Sequence, residues 1–179
     1  MSLKLYFAPG ACSFVPHCLL QLSGAAFEPH MVKLHKGEQN GEEYKAINPR
    51  GQVPVLVDEG QVITQILAII LYLDQKFPEA HYLPTAPVAR AKAIETLAWM
   101  NNTVHPTFTH VFMPQKFCDA PDVQAQLKTF NTQTYKSLMG ELQDIVVRNS
   151  HASGWLSGEQ VGPLDAYALT LTRWGSIAG

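Results

Sequence analysis

Asn48-Pro49-Arg50-Gly51-Gln52-Val53-Pro54-Val55-Leu56-Val57 is the stretch on which the fold turns. A polar turn over 48–51 runs into Val53-Pro54 and then into three apolar residues that read as a short buried strand. Proline cannot donate to a central ladder, so Pro54 is expected at the strand's first residue. Cis peptide bonds occur mainly before proline. The local sequence leaves two readings open, a loop entering the strand with trans proline or a cis Val53-Pro54 bond. The cis reading turns the Val53 N–H and C=O outward, where an extended peptide can pair with them as an added strand.

Outward from that stretch, Lys4-Leu5-Tyr6-Phe7-Ala8 reads as a strand closed by Pro9-Gly10. An apolar helical run over 14–22 follows, with Pro16 in its first turn, where the missing N–H costs little. Residues 27–34 form a second strand candidate, 36–40 a polar loop and 42–47 a short helix. After the third strand, Asp58-Glu59-Gly60 is a hairpin turn and 61–63 the return strand. A largely buried helix begins at Ile66 and ends near Lys76. The order β-α-β-α-β-β-α predicts a mixed four-stranded sheet with helices on its faces, the order of a thioredoxin fold. Residues 81–88, with Pro84 and Pro87, read as a linker. Beyond it the candidates are helices over 89–104, 122–148 and 163–177. The expected organisation is an α/β domain over 1–80, a linker over 81–88 and an all-helical domain over 89–179.

The bulk properties narrow the function. In 179 residues with 46% hydrophobic content and a net charge of −2, nothing points to nucleic acid or an anionic membrane surface. The longest apolar run, 66–73, is far short of the ~20 residues of a membrane span. The N-terminus lacks a signal-peptide pattern. Three cysteines without a CxxC, an odd number, fit a reduced cytoplasmic compartment. The seven histidines show no metal-ligand spacing, so no metal is expected.

Several residues could carry chemistry. Cys12 falls in a strand-to-helix turn, where the partial positive charge and free N–H groups of a helix N-terminus favour a thiolate. The competing reading is a small buried apolar cysteine, which also suits Cys18 and Cys118. Thr64-Gln65 stands at the mouth of the buried helix, either as a cap or beside N–H groups that hold a ligand carboxylate. His105 precedes Pro106 and is expected to end or kink its helix. Lys33, Lys36 and Arg50 read as solvated cations, one of which could face a ligand anion.

With Cys12, Val53-Pro54 and the helical second half in place, the whole chain resembles a glutathione S-transferase, most of all the bacterial beta class. The segment 5–13 followed by Pro16-His17 is similar to that class's opening, and the segment 46–54 to its cis-proline segment. The resemblance implies that Cys12 meets the glutathione sulfur, that the Val53 backbone pairs with its cysteinyl part, and that Gln52 and Pro54 belong to the glutathione-binding set. It implies further that Lys36 reaches the glycine carboxylate, and that Gln65 and Ile66 hold the γ-glutamyl group. His105 matches the helical-domain histidine that approaches the same pocket, and Trp174 a tryptophan lining the electrophile side. The family usually has Ser or Gly where Ile66 stands, and Ser or Thr where Gly162 precedes Pro163-Leu164-Asp165. It also continues for another helix or two, so the chain is expected to be truncated at its C-terminus. Three functions follow from the resemblance: conjugation of glutathione to small hydrophobic electrophiles by a homodimer, glutathione-dependent disulfide reduction through Cys12, or non-catalytic binding.

Overall fold

The computed structural model describes residues 3–149 and 152–178. The chain divides into two compact units, Met1–Leu83 and Pro84–Gly179. In the first, β1 (Leu3–Phe7), β2 (Phe27–Met31), β3 (Val55–Asp58) and β4 (Gln61–Thr64) form one sheet in the order β2-β1-β3-β4. β1 and β2 run parallel around the crossover helix α1 (Phe14–Leu22), while β3 pairs antiparallel with both β1 and β4. The strand period of two divides the faces, with Leu5 opposite Leu56 on one and Tyr6 opposite Val55 on the other. Under α2 (Glu42–Ile47), Tyr44 closes the second face over Val32 and Val55.

The expected buried helix is α3 (Ile66–Lys76), which packs against α1. It buries Ile66, Ile69, Ile70 and Leu73, a single stripe at helical spacing. Each such side chain contributes about 1.5–3 kcal/mol on full burial. The second strand is shorter than expected. Val32 N–H bonds Phe7 O at 2.8 Å, but the chain then bends, and Leu34 opens a 3-10 turn, Leu34–Lys36, followed by a second, Glu38–Asn40. The alternation of Val32 and Leu34 around Lys33 suggested a strand. Leu34 instead lies exposed.

The second unit is helical: α4 (Pro87–Trp99), α5 (His105–Phe112), α6 (Pro121–Asn149) and α7 (Pro163–Ala178). His105 was expected to end or kink its helix, but the helix does not end there. A single π turn, Met100–Val104, carries α4 directly into α5. Pro106 has no N–H to give and its ring crowds the preceding turn; a widened π turn relieves both. The apolar seam Leu97, Met100, Val104, Phe108 and Val111 runs buried through the irregularity, so packing holds the helix together where the proline would break it.

Candidate active site

The β1–α1 loop presents Cys12. Ser13, buried, accepts from Ala8 N–H at 3.0 Å and donates back to Ala8 O at 3.2 Å, which closes the loop onto the end of β1. Cys12 sits one residue earlier, 9% exposed, and its thiol donates to Val53 O at 3.6 Å. Thus the two segments singled out in the sequence meet.

The expected thiolate is not favoured here. Burial pushes the Cys12 thiol up to about 12, against the weaker pull of the Cys12 and Ser13 backbone N–H groups that favour the anion. Desolvation of the sulfur outweighs the helix N-terminus. Cys12 is therefore a neutral thiol near pH 7 and acts as a hydrogen-bond donor. Its alkylation by iodoacetamide should climb about tenfold per pH unit from pH 7 to pH 10 without levelling, as only the thiolate reacts. Site-resolved mass spectrometry checks this, and a plateau near pH 8 would contradict it.

The Val53-Pro54 bond is cis. The loop before it is bolted from beneath. Gln52 O accepts from Tyr44 Oη and from Asn48 Nδ2, both at 2.8 Å. Asn48 Oδ1 takes Arg50 N–H at 3.2 Å, and Asn48 O takes Gly51 N–H at 2.9 Å. Val53 N–H has no hydrogen-bond partner among the described residues. Gly51, at φ 61°, lies against the 3-10 turn, where an added Cβ would stand 2.8 Å from Gln39 O. Both the backbone conformation and the close approach require glycine. Gly51→Ala should cost about 2–4 kcal/mol, measured by urea unfolding, from left-handed strain plus overlap with backbone.

Gln65 directly precedes α3 at φ 72°, an uncommon backbone conformation for a residue with a side chain. It makes no side-chain cap, so the N–H groups of the first turn of α3 remain directed outward. Ile66 contributes its N–H there, while its side chain is 4% exposed and points into the core. The substitution for Ser or Gly therefore adds no bulk at the helix mouth. Lys36, Gln52 and Gln65 are exposed, and no hydrogen bond or ion pair engages their side chains among the described residues. Cys12 and Val53 are the pair of expected site residues joined by a hydrogen bond.

In the helical unit, His105 is half-buried. Its Nδ1 lies 2.9 Å from Tyr167 Oη, and its ring meets the Trp174 ring edge-on at 4.8 Å. Trp174 is itself buried and stacked on Phe108 at 4.7 Å. Burial, reinforced by the Lys116 charge, pushes the imidazole down to about 4, so His105 is neutral near pH 7. Sequence reasoning missed Tyr44 and Tyr167, and saw Asn48 only as part of a polar turn. Their roles are made by hydrogen bonds that local pattern does not encode. Among the described residues, no group of three or more His, Cys, Asp or Glu could hold a metal ion, and no helix is long and apolar enough to cross a membrane.

Residues 1–75 match the family model described as "Glutathione S-transferase, N-terminal domain". The chain is 35% identical to glutathione S-transferase GstA of Escherichia coli O157:H7 over 176 residues, 96% of this chain and 82% of that one. Among solved structures, a bacterial beta class glutathione S-transferase of Sphingomonas chungbukensis superposes with a TM-score of 0.81 at 28% identity, covering 98% of this chain and 84% of the other. A sphingomonad glutathione S-transferase complexed with glutathione gives a TM-score of 0.80 at 27% identity over the same shares.

Proposed function

The chain belongs to the glutathione S-transferase family, and from that premise we propose that it binds glutathione in its first unit and joins the tripeptide's sulfur to small hydrophobic electrophiles. The observation that carries the reading is the Cys12–Val53 contact at 3.6 Å beside an unpartnered Val53 N–H. An extended peptide whose cysteinyl group pairs with the Val53 backbone brings its own sulfur to Cys12. Gln52 and Pro54 flank that pairing. The N–H of Ile66 and the side chain of Gln65 hold the γ-glutamyl end at the first turn of α3, and Lys36 takes the glycine carboxylate. His105 serves the transfer as a neutral hydrogen-bonding group, and Trp174 lines the electrophile side. Residues 1–80 are the glutathione-binding domain, 81–88 the linker and 89–179 the helical domain. The working form is a cytoplasmic homodimer, in keeping with the frequency of closed two-fold assemblies.

In the reaction the bound glutathione thiol gives its proton to solvent, the thiolate attacks an electrophilic carbon, a C–S bond forms and the leaving group departs with its electron pair. A free thiol titrates at roughly 8.5, so binding must favour the anion. Cys12 does this as a neutral donor to the thiolate. A hydrogen bond to a charged acceptor contributes about 1.5–3 kcal/mol. The raised Cys12 pKa favours this role over disulfide exchange, which needs Cys12 itself as the thiolate.

The test is Cys12→Ala. Conjugation to an aryl halide should fall roughly ten- to a hundredfold, in step with the lost hydrogen bond, and remain measurable. A wild-type chain that is not retained on immobilised glutathione would sink the binding assignment. Rapid reduction of a small mixed disulfide, abolished in Cys12→Ala, would assign the chemistry to disulfide exchange instead.

A further inference from the structure

Asp58 ends β3 in a buried position, yet carries a carboxylate. A carboxylate taken out of water needs donors, and α3 supplies two. Tyr72 Oη donates to Asp58 Oδ2, and Lys76 Nζ stands 2.5 Å from the same oxygen. Tyr72 and Lys76 are four residues apart, so they share one side of the helix. Lys76 Nζ also lies over the Tyr72 ring, 5.8 Å from its centroid, so the two donors brace each other. The bond from Lys76 first, and then that from Tyr72, holds the Asp58 carboxyl below its usual range against the opposing effect of burial. Neither donor belongs to the buried stripe by which α3 packs against α1. The carboxylate therefore grips α3 from a second direction, that of the sheet.

The two elements so joined carry the two ends of the candidate glutathione site. β3 begins directly after Val53-Pro54, and α3 begins at Ile66. One residue, Gln65 at φ 72°, separates β4 from α3. A joint of one residue keeps the start of the helix near the sheet and leaves its tilt and roll to be set further along. Tyr72 and Lys76 lie roughly 9 and 15 Å along the axis from Ile66 at the rise of an α-helix. We propose that Asp58, acting through Tyr72 and Lys76, is a positioning residue that sets α3 against β3, so that the first-turn N–H groups of α3 and the Val53 backbone stand at the separation that lets one tripeptide engage both. This rests on the reading that glutathione spans Val53 and the first turn of α3. Release of the clamp leaves the apolar stripe in place, so α3 stays folded but samples other tilts and rolls. The site is then competent for part of the time, and affinity falls by that fraction. The sulfur lies at the Val53 end, so the chemical step is spared.

Hydrogen exchange of the free full chain, beside steady-state kinetics, tests the clamp. Tyr72→Phe removes one donor and keeps the ring, and Lys76→Met removes the charge and keeps the stem. The Ile69 N–H closes the first turn of α3 on Gln65 O at 3.0 Å. In each variant that amide should exchange about tenfold faster, while the amides of β1 keep their rates. KM for glutathione should rise about fivefold, with kcat within about twofold of wild type. The double variant should raise KM by less than the product of the two single effects, because both donors serve one oxygen. Lys76→Arg, which keeps a charged donor, should hold KM within about twofold of wild type. Faster exchange confined to the last turn, at the Phe77 amide, would overturn the positioning role. So would faster exchange shared by β1, or an unchanged KM in folded Tyr72→Phe. If Lys76→Met does not fold, Tyr72→Phe, the milder change, decides the matter. A first turn that loosens in Tyr72→Phe, in a chain whose wild type binds no glutathione, supports the setting of α3 by Asp58 and overturns the transferase reading alone.

Discussion

Asp165→Ala is expected to lower stability by on the order of 4 kcal/mol, because three backbone N–H groups lose one charged acceptor together. The carboxylate takes Leu156 N–H at 2.7 Å, Gly162 N–H at 3.0 Å and Ser157 N–H at 3.1 Å. Gly162 immediately precedes α7, and Asp165 is the third residue of that helix, so the bond to Gly162 is one half of a capping box. Gly162 has no side chain to supply the other half. Ser157 supplies it from five residues upstream, its hydroxyl accepting Leu164 N–H at 3.1 Å. The loop over 156–162 is thereby tied to the first turn of α7, which buries Leu164, Ala166, Tyr167, Leu171 and Trp174. Asp165→Asn, which keeps one acceptor oxygen, should lose about half as much. Urea unfolding followed by tryptophan fluorescence measures both. A loss under about 1 kcal/mol for Asp165→Ala would show that solvent already satisfies these donors.

Asn48→Ala should cost about 2–3 kcal/mol and weaken glutathione binding more than tenfold, the larger effect being on binding. Asn48 is 2% exposed and serves three backbone groups of its loop, by donating to Gln52 O and accepting from Arg50 and, through its own carbonyl, from Gly51. Its loss leaves Gln52 O with Tyr44 Oη alone and Arg50 N–H without its acceptor. The residue whose backbone the tripeptide must meet, Val53, is the next in line. A loop that samples other conformations reduces affinity by the fraction of time it spends in the competent one. Calorimetric titration with glutathione, beside urea unfolding, separates the two effects. Unchanged affinity in a destabilised protein would mean that Pro54 and Tyr44 suffice to hold the loop.

Much of this was legible in the sequence, and the failures have physical causes. The strand β3, the helix α1 and the apolar stripe of α3 follow from local period, and the structure has them where the pattern placed them. The cis bond was an open alternative that local sequence could not resolve. Proline at 106 read as a helix boundary because the local rule sees the missing N–H and not the seam from Leu97 to Val111 that overrides it. Cys12 was read either as an activated sulfur, from its place before a helix, or as a small buried apolar cysteine. The sign of the shift depends on burial, which the order of residues does not contain. Tyr44, Asn48, Ser157 and Tyr167 act on partners 4–66 residues away, through hydrogen bonds that only the folded chain assembles.

The central claim is that glutathione pairs with the Val53 backbone and reaches the first turn of α3, and backbone amide NMR of the full chain titrated with reduced glutathione tests it most directly. The Val53 and Ile66 amide protons should move downfield together, saturably and with one dissociation constant, because each gains an acceptor that it lacks in the free protein. Saturable binding that leaves both amides unmoved would place the tripeptide elsewhere and contradict the account.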